Sequence, residues 1–330
     1  MNRSINLKIF SVLTIFIFLT SHQNLTSIED SEKYIIDQPS FGFFSCFLGT
    51  LNKLLYCEAH NKIPVVYWGK NSLYYVEDGF NGSQNVWEYY FEPISPGSFV
   101  CENHTYDKSS LRYIDFGKTF THTPSMNAPR RGRKISSHLT IAANPTILHR
   151  DEVYRLITTY IKIKPIVQKK IDDFYQQYMS GKKTIGIHLR GTDKWSEAIP
   201  IRPEQIIETA LGFADANTQF LIATDEKSLL HKAISILSER KVIYYDCYRS
   251  LNNNPLHGLH YIIKNDPQNS AISNEDTISL PCPAQLGEDV LVEASLLAKC
   301  DLFIHTLSNV STAVCYLNPA LENVLITGIY

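Results

Sequence analysis

The chain has 330 residues, with 31 Lys and Arg against 33 Asp and Glu, a formal net charge of −2. Its 44% hydrophobic and 19% charged residues are those of a folded globular protein, which excludes a disordered chain, a collagen-like fibre and a coiled coil. The near-neutral balance argues against a surface built to neutralise a phosphate backbone, so no nucleic-acid partner is expected. At this length one core usually divides, and two domains of roughly 150 residues each are the expectation.

Arg3 and Lys8 frame a positive start to the apolar run Ile9 to Leu19. That run is shorter than the ~18 apolar residues of a confident membrane span, so residues 1–21 read first as a signal peptide. Leu19-Thr20-Ser21 is a poor small-x-small cleavage site, which leaves an uncleaved anchor, a membrane tether through residues 5–20, as the alternative. N-x-S/T sequons at Asn24, Asn81, Asn103 and Asn309 would permit glycosylation in a eukaryotic lumen, although a chain this rich in Asn, Ser and Thr makes sequons by chance. The expected location is therefore the secretory pathway lumen or a Golgi or ER membrane in a eukaryote. In a bacterium it would be an inner-membrane tether with a cytoplasmic body. The seven Cys cannot all pair within one chain, and with no C-x-x-C and no zinc-like Cys/His spacing a structural metal is not expected. Cys247 and Cys282 bracket an Asn/Pro-rich insert and could staple it in an oxidising compartment. Cys57, Cys300 and Cys315 sit in apolar patterns and read equally well as small buried hydrophobes.

In chain order, residues 41–45 predict a short strand. A helical pattern follows through Phe47, Leu51, Leu54, Leu55 and Cys57, then a second strand over residues 63–68. Residues 69–144 are rich in Tyr, Gly, Asn and Ser and predict loops, with one helical turn over 86–91. Helices follow over 149–160 and 165–179, the second with Pro165 at a tolerated first-turn position. From Thr184 the alternation is regular: strands over 184–189, 219–224, 241–245, 301–306 and 323–327, with helices over 203–213, 227–238, 287–299 and 309–317. Apolar strands alternating with helices predict a parallel sheet covered on both faces. The expected domains are 35–183, an N-terminal Rossmann-like half with linking helices, and 184–330, a second Rossmann-like half.

In open α/β sheets ligands bind outside the carboxyl ends of the strands. One end carries Ile187-His188-Leu189-Arg190-Gly191-Thr192-Asp193-Lys194, a second Ala223-Thr224-Asp225-Glu226, and a third His305-Thr306-Leu307-Ser308-Asn309. Ser308 and Asn309 are good N-cap residues, and a helix start attracts anions, while Arg190 and Lys194 would supply the full positive charges that two phosphates require. Neither a P-loop nor a G-x-G-x-x-G is present. No Asp-x-Asp pair occurs anywhere, so a diphosphate would be met by cations and backbone amides and no metal is expected. Each residue also has a structural reading: Arg190 could pair with Asp193, Asp225 could cap the next helix, His188 could be a core histidine, and Ser308 and Asn309 would cap their helix with or without phosphate.

The run from Gly186 to Lys194 resembles the H-x-R-R-T-D-K motif of the core α-1,6-fucosyltransferases, whose relatives include nodulation-type and protein O-fucosyltransferases. Phe220 to Glu226 resembles that family's second motif, and Asp289 to Pro319, with Thr306-Leu307-Ser308-Asn309, its third. The resemblance covers most of residues 184–319 in the right order and is weak in the N-terminal half, around Gly42 to Trp68. It implies a GT-B fold with two Rossmann-like domains facing a central cleft, inverting chemistry without metal, GDP-fucose as donor and a glycan or glycoconjugate hydroxyl as acceptor. By motif position, Arg190 would contact the β-phosphate, His188 the nucleoside side, Lys194 the diphosphate, Asp225 the guanine, and Ser308 and Asn309 phosphate oxygens. Asp193 belongs to the same donor-binding run. Glu197, followed by Ala198, aligns with the family's catalytic acid across a gap of one residue, with Asp193 as the alternative base. Gly191 departs from the pattern, replacing the second Arg. That departure favours an inactive GDP- or glycan-binding descendant as the rival reading, beside a transferase using another GDP-sugar. A nicotinamide enzyme is the weakest rival because the glycine fingerprint is absent. The Tyr-rich stretch 69–91 would offer stacking rings to an acceptor in the cleft.

Overall fold

Apolar strands separated by amphipathic helices have one economical arrangement, a parallel sheet with helices on its faces, and the computed structural model adopts it over the residues it describes: 33–38, 40–94, 147–191, 201–251 and 280–326. The N-terminal part contributes β1 (Lys33–Ile36), α1 (Phe43–Ala59), β2 (Ile63–Val66) and the short α2 (Trp87–Tyr90). Helices α3 (Ile147–Tyr160) and α4 (Pro165–Phe174) follow, the latter running on as a π-helical turn, Tyr175–Met179. The regular alternation then comprises β3 (Thr184–Leu189), α5 (Pro203–Gly212), β4 (Gln219–Thr224), α6 (Lys227–Ile236), β5 (Val242–Ile243), α7 (Pro283–Leu297), β6 (Leu302–His305), α8 (Asn309–Leu317) and β7 (Glu322–Leu325).

The second sheet has the order β5-β4-β3-β6-β7 with every neighbour parallel. The chain winds outward from β3 in one direction, then returns to β3's other side, so the order reverses between β3 and β6. Both β3 and β4 are buried at all positions, as strands covered on two faces must be. One face packs α5 and α6 through Ile206, Ile207, Ala210, Leu230 and Ala233. The other packs α7 and α8, and the same hydrophobic cluster continues without a break into α1, α2, α3 and α4 of the N-terminal part.

Residues 41–45 are not a strand. Phe43, Phe44, Phe47, Leu51 and Leu54 recur at three- and four-residue intervals and fall on the buried face of α1. The strand beside β2 is instead Lys33–Ile36, in register with Ile63–Val66, where a single fully buried residue, Ile36, left little apolar pattern to read. The Tyr-rich stretch forms much of the core rather than a stacking surface. Tyr74, Trp87, Tyr89, Tyr90 and Phe91 are all buried, and Phe43 lies edge-on to Trp68, Tyr74 and Tyr90 at centroid distances of 5.9, 5.7 and 5.0 Å. Of the aromatics between 69 and 91, Tyr75 and Phe80 remain partly exposed. Cys247 and Cys282 are free thiols in this structure. No helix among the described residues is long and apolar enough to cross a membrane; residues 1–32, with the expected leader, lie outside them.

Candidate functional site

The strand order reverses between β3 and β6, the position at which open α/β sheets bind ligands, and His188, Ser308 and Asn309 come together at the carboxyl ends of these two strands. His188 is the last but one residue of the buried strand β3 and lies directly opposite His305 of β6. Its Nδ1 lies 3.1 Å from Ser311 Oγ and 3.5 Å from Ser308 Oγ. Ser311 Oγ donates to Thr306 O at 2.9 Å, an arrangement that suits donation from His188 Nδ1 to Ser311. Ser308 is the N-cap of α8: its Oγ accepts from Ser311 N at 3.0 Å, the bond that a β-region serine makes to a helix start. Asn309 is the first helical residue. The Ser308–Ser311–His188 chain therefore ties the end of β3 to the positive end of α8.

Arg190 leaves the end of β3 and pairs with Asp225 at the end of β4, Nη1 to Oδ2 at 3.1 Å. Register dictates the match, because Leu189 and Thr224 are paired and each ionic residue comes one position later. The other oxygen of Asp225 accepts the Gly191 N–H at 2.9 Å. Asp225 thus faces β3, and the N-cap position of α6 is held by Glu226. Gly191 is closely covered: a Cβ there would meet the Glu226 carboxylate, Leu229 Cδ1 at 2.8 Å and Glu226 Cβ at 3.0 Å. Glu226 is buried and bonded to Ser228 Oγ, so a carboxylate occupies the ground into which a second arginine would project. Lys194, Asp193 and Glu197 lie outside the described residues, as does Thr192.

Below these strand ends runs a row of acids on α7 that the sequence reading passed over. Glu288 is buried and bonded to Lys170 of α4, to Asn81 Nδ2 at 3.2 Å and to Gln285 Nε2 at 3.1 Å. Burial first, then the neighbouring Glu288 charge, pushes Asp289 up to about 6, against a bond from Gln285 at 2.8 Å. Glu293 is raised to about 7 by burial, partly offset by Arg249, whose Nη2 stands 2.7 Å away. Arg249 also donates to Cys247 O and Tyr245 O at 3.0 and 2.9 Å, fixing the base of the insert after β5. Asp225 lies near enough to Glu293 to add to its upward shift, so the row is electrically continuous with the Arg190 pair. A signal existed: α7 has three acids among apolar residues on nearly every side and no basic residue to balance them. Asn81, in the left-handed region at φ 49°, also sends Nδ2 to Tyr89 O and receives Lys164 Nζ on its own carbonyl, each at 2.8 Å. Its sequon nitrogen is therefore committed inside the fold.

This architecture is α/β and GT-B-like, the fold of the GT-B fucosyltransferases. It is similar to NodZ α-1,6-fucosyltransferase soaked with GDP-fucose, with a TM-score of 0.53 and 17% identity over 88% of this chain and 94% of that one. NodZ co-crystallised with GDP gives 0.50 and 16% over 87% and 92%, and NodZ from Bradyrhizobium 0.50 and 16% over 88% and 94%. At such identities the likeness is one of fold. No family model and no curated protein matches the sequence.

Proposed function

We propose that the protein is an inverting glycosyltransferase that moves fucose from GDP-fucose to a glycan or glycoconjugate hydroxyl. The observation that carries this reading is the gathering of polar groups at the carboxyl ends of three adjacent strands: His188 and Arg190 at the end of β3, Asp225 paired with Arg190 at the end of β4, and the Ser308-capped start of α8 after β6, bonded to His188 through Ser311. A guanidinium and a helix start are the groups a diphosphate selects, and an imidazole tied to that helix start suits the nucleoside side. Lys194 would add a second cation, Asn309 a helix-start contact, and Asp193 the remaining polar group of the run. Glu197 would remove the acceptor proton as the hydroxyl attacks from the face opposite the departing GDP. We take the donor half to be 184–330 and the acceptor half 35–183, with residues 5–20 as leader or tether to a secretory membrane.

The charge on departing GDP would be met by Arg190, Lys194 and helix-start amides, so no metal is required. The test is transfer from GDP-fucose across an acceptor panel, with and without excess EDTA, beside calorimetry with GDP. Activity lost to EDTA and restored by Mn²⁺ would refute metal independence; absence of GDP binding would refute the reading as a whole. Gly191 under Glu226 favours a second reading, an inactive GDP-binding descendant, which would bind GDP but neither transfer nor hydrolyse the donor.

A further inference from the structure

We propose that Asp225 is a positioning residue that holds the Arg190 guanidinium toward an anion while tying down the Gly191 amide, and that it does not read the base. The inference rests on the donor-binding reading above and concerns how that site is built. Both Asp225 oxygens point back to the neighbouring strand, one to Gly191 N at 2.9 Å and one to Arg190 Nη1 at 3.1 Å. The register that places residues 190 and 225 side by side makes this contact a property of the sheet. The pair is three-quarters or more withdrawn from water, the side chains being 22% and 15% exposed, so it is screened far less than a surface pair. Arg is a long side chain that loses about 2 kcal/mol of rotamer freedom when held, and a carboxylate that fixes it in advance removes that cost from ligand binding. The need is acute in this chain. Gly191 supplies no second guanidinium, and Glu226 with Leu229 closes the space above it, so the presentation of Arg190, the guanidinium at this strand end, weighs heavily on anion affinity.

The test is calorimetry of the full chain with GDP, ADP and inorganic pyrophosphate for wild type, Asp225→Asn, Arg190→Ala and the double variant. Asn keeps an oxygen for the Gly191 N–H but offers the guanidinium no charge. Asp225→Asn should weaken all three ligands by a common factor of roughly 10- to 100-fold, and should add nothing to the loss in Arg190→Ala. A narrowed GDP-over-ADP preference, a loss additive with that of Arg190→Ala, or unchanged or tighter pyrophosphate binding would each overturn the proposal. If Asp225→Asn does not fold, the same cycle is run with Asp225→Ser, whose hydroxyl still accepts from an amide. Arg190-dependent pyrophosphate binding without fucosyl transfer would sink the enzymatic reading and leave the positioning role standing. A wild type that binds neither nucleotide nor pyrophosphate would sink both.

Discussion

Replacing Gly287 by Ala should destabilise the protein, although alanine is the better helix former by about 1 kcal/mol. The reason is the approach of α2 to α7. A Cβ at 287 would meet the Tyr90 hydroxyl below contact distance, Tyr90 Cζ at 2.7 Å and Tyr74 Cδ1 at 3.0 Å. Tyr90 cannot yield freely: it is fully buried, packs against Phe43 at 5.0 Å and donates to Ala284 O at 3.0 Å. Overpacking of a filled core costs about 1–3 kcal/mol, and a buried hydroxyl forced off its acceptor about 1–3 kcal/mol. Setting the helix gain against these leaves a net loss of roughly 1–5 kcal/mol, or several degrees of Tm for a chain of this size. Urea unfolding followed by tryptophan fluorescence reads it directly, since Trp68 and Trp87 are fully buried in the same cluster. Combining Gly287→Ala with Tyr90→Phe removes the colliding oxygen and should recover part of the loss. A Gly287→Ala protein as stable as wild type, or one that Tyr90→Phe makes worse by its full separate cost, would refute the packing argument.

Glu293 and Asp289 titrate upward in the folded state, so the native protein holds their protons more tightly than the unfolded chain. Their contribution to stability is fullest below the unfolded values near 4 and is lost as pH rises toward about 7. Glu293→Gln should therefore gain stability relative to wild type across that window and level off above it; chemical denaturation at several pH values checks this, and the opposite slope would refute the assignment. Arg190→Lys keeps the charge but loses the planar fork, and should cost about 2–4 kcal/mol of transition-state stabilisation, read as kcat/KM for GDP-fucose in a folded variant. Glu197→Gln should lower kcat by about 10²–10⁴-fold with GDP affinity nearly intact. Normal turnover in Glu197→Gln together with an inactive, folded Asp193→Asn would move the base to Asp193.

The alternation after Thr184 was legible in the sequence because its central strands are mostly apolar runs set between amphipathic helices: β3, β4 and α8 begin and end where the pattern places them. Strand ends in such a sheet collect polar residues, so His188, Arg190, Asp225 and Ser308 could be singled out without a structure. Local pattern failed where a short apolar run fits both periods or carries too little of either. The aromatics of residues 41–45 read as a strand until a helix is seen to bury them on one face, and β1 carries too few apolar positions to announce itself. Pairings across the chain lay beyond any local reading, because they depend on register and approach. The β3/β4 register turns Asp225 toward Arg190, and the covered Gly191 acquires meaning only when Glu226 is found above it. The acids of α7 were plain in the sequence as residues. Only the tertiary structure buries them, Glu288 against Lys170 and Glu293 against Arg249, 118 and 44 residues away, and burial is what raises Asp289 and Glu293.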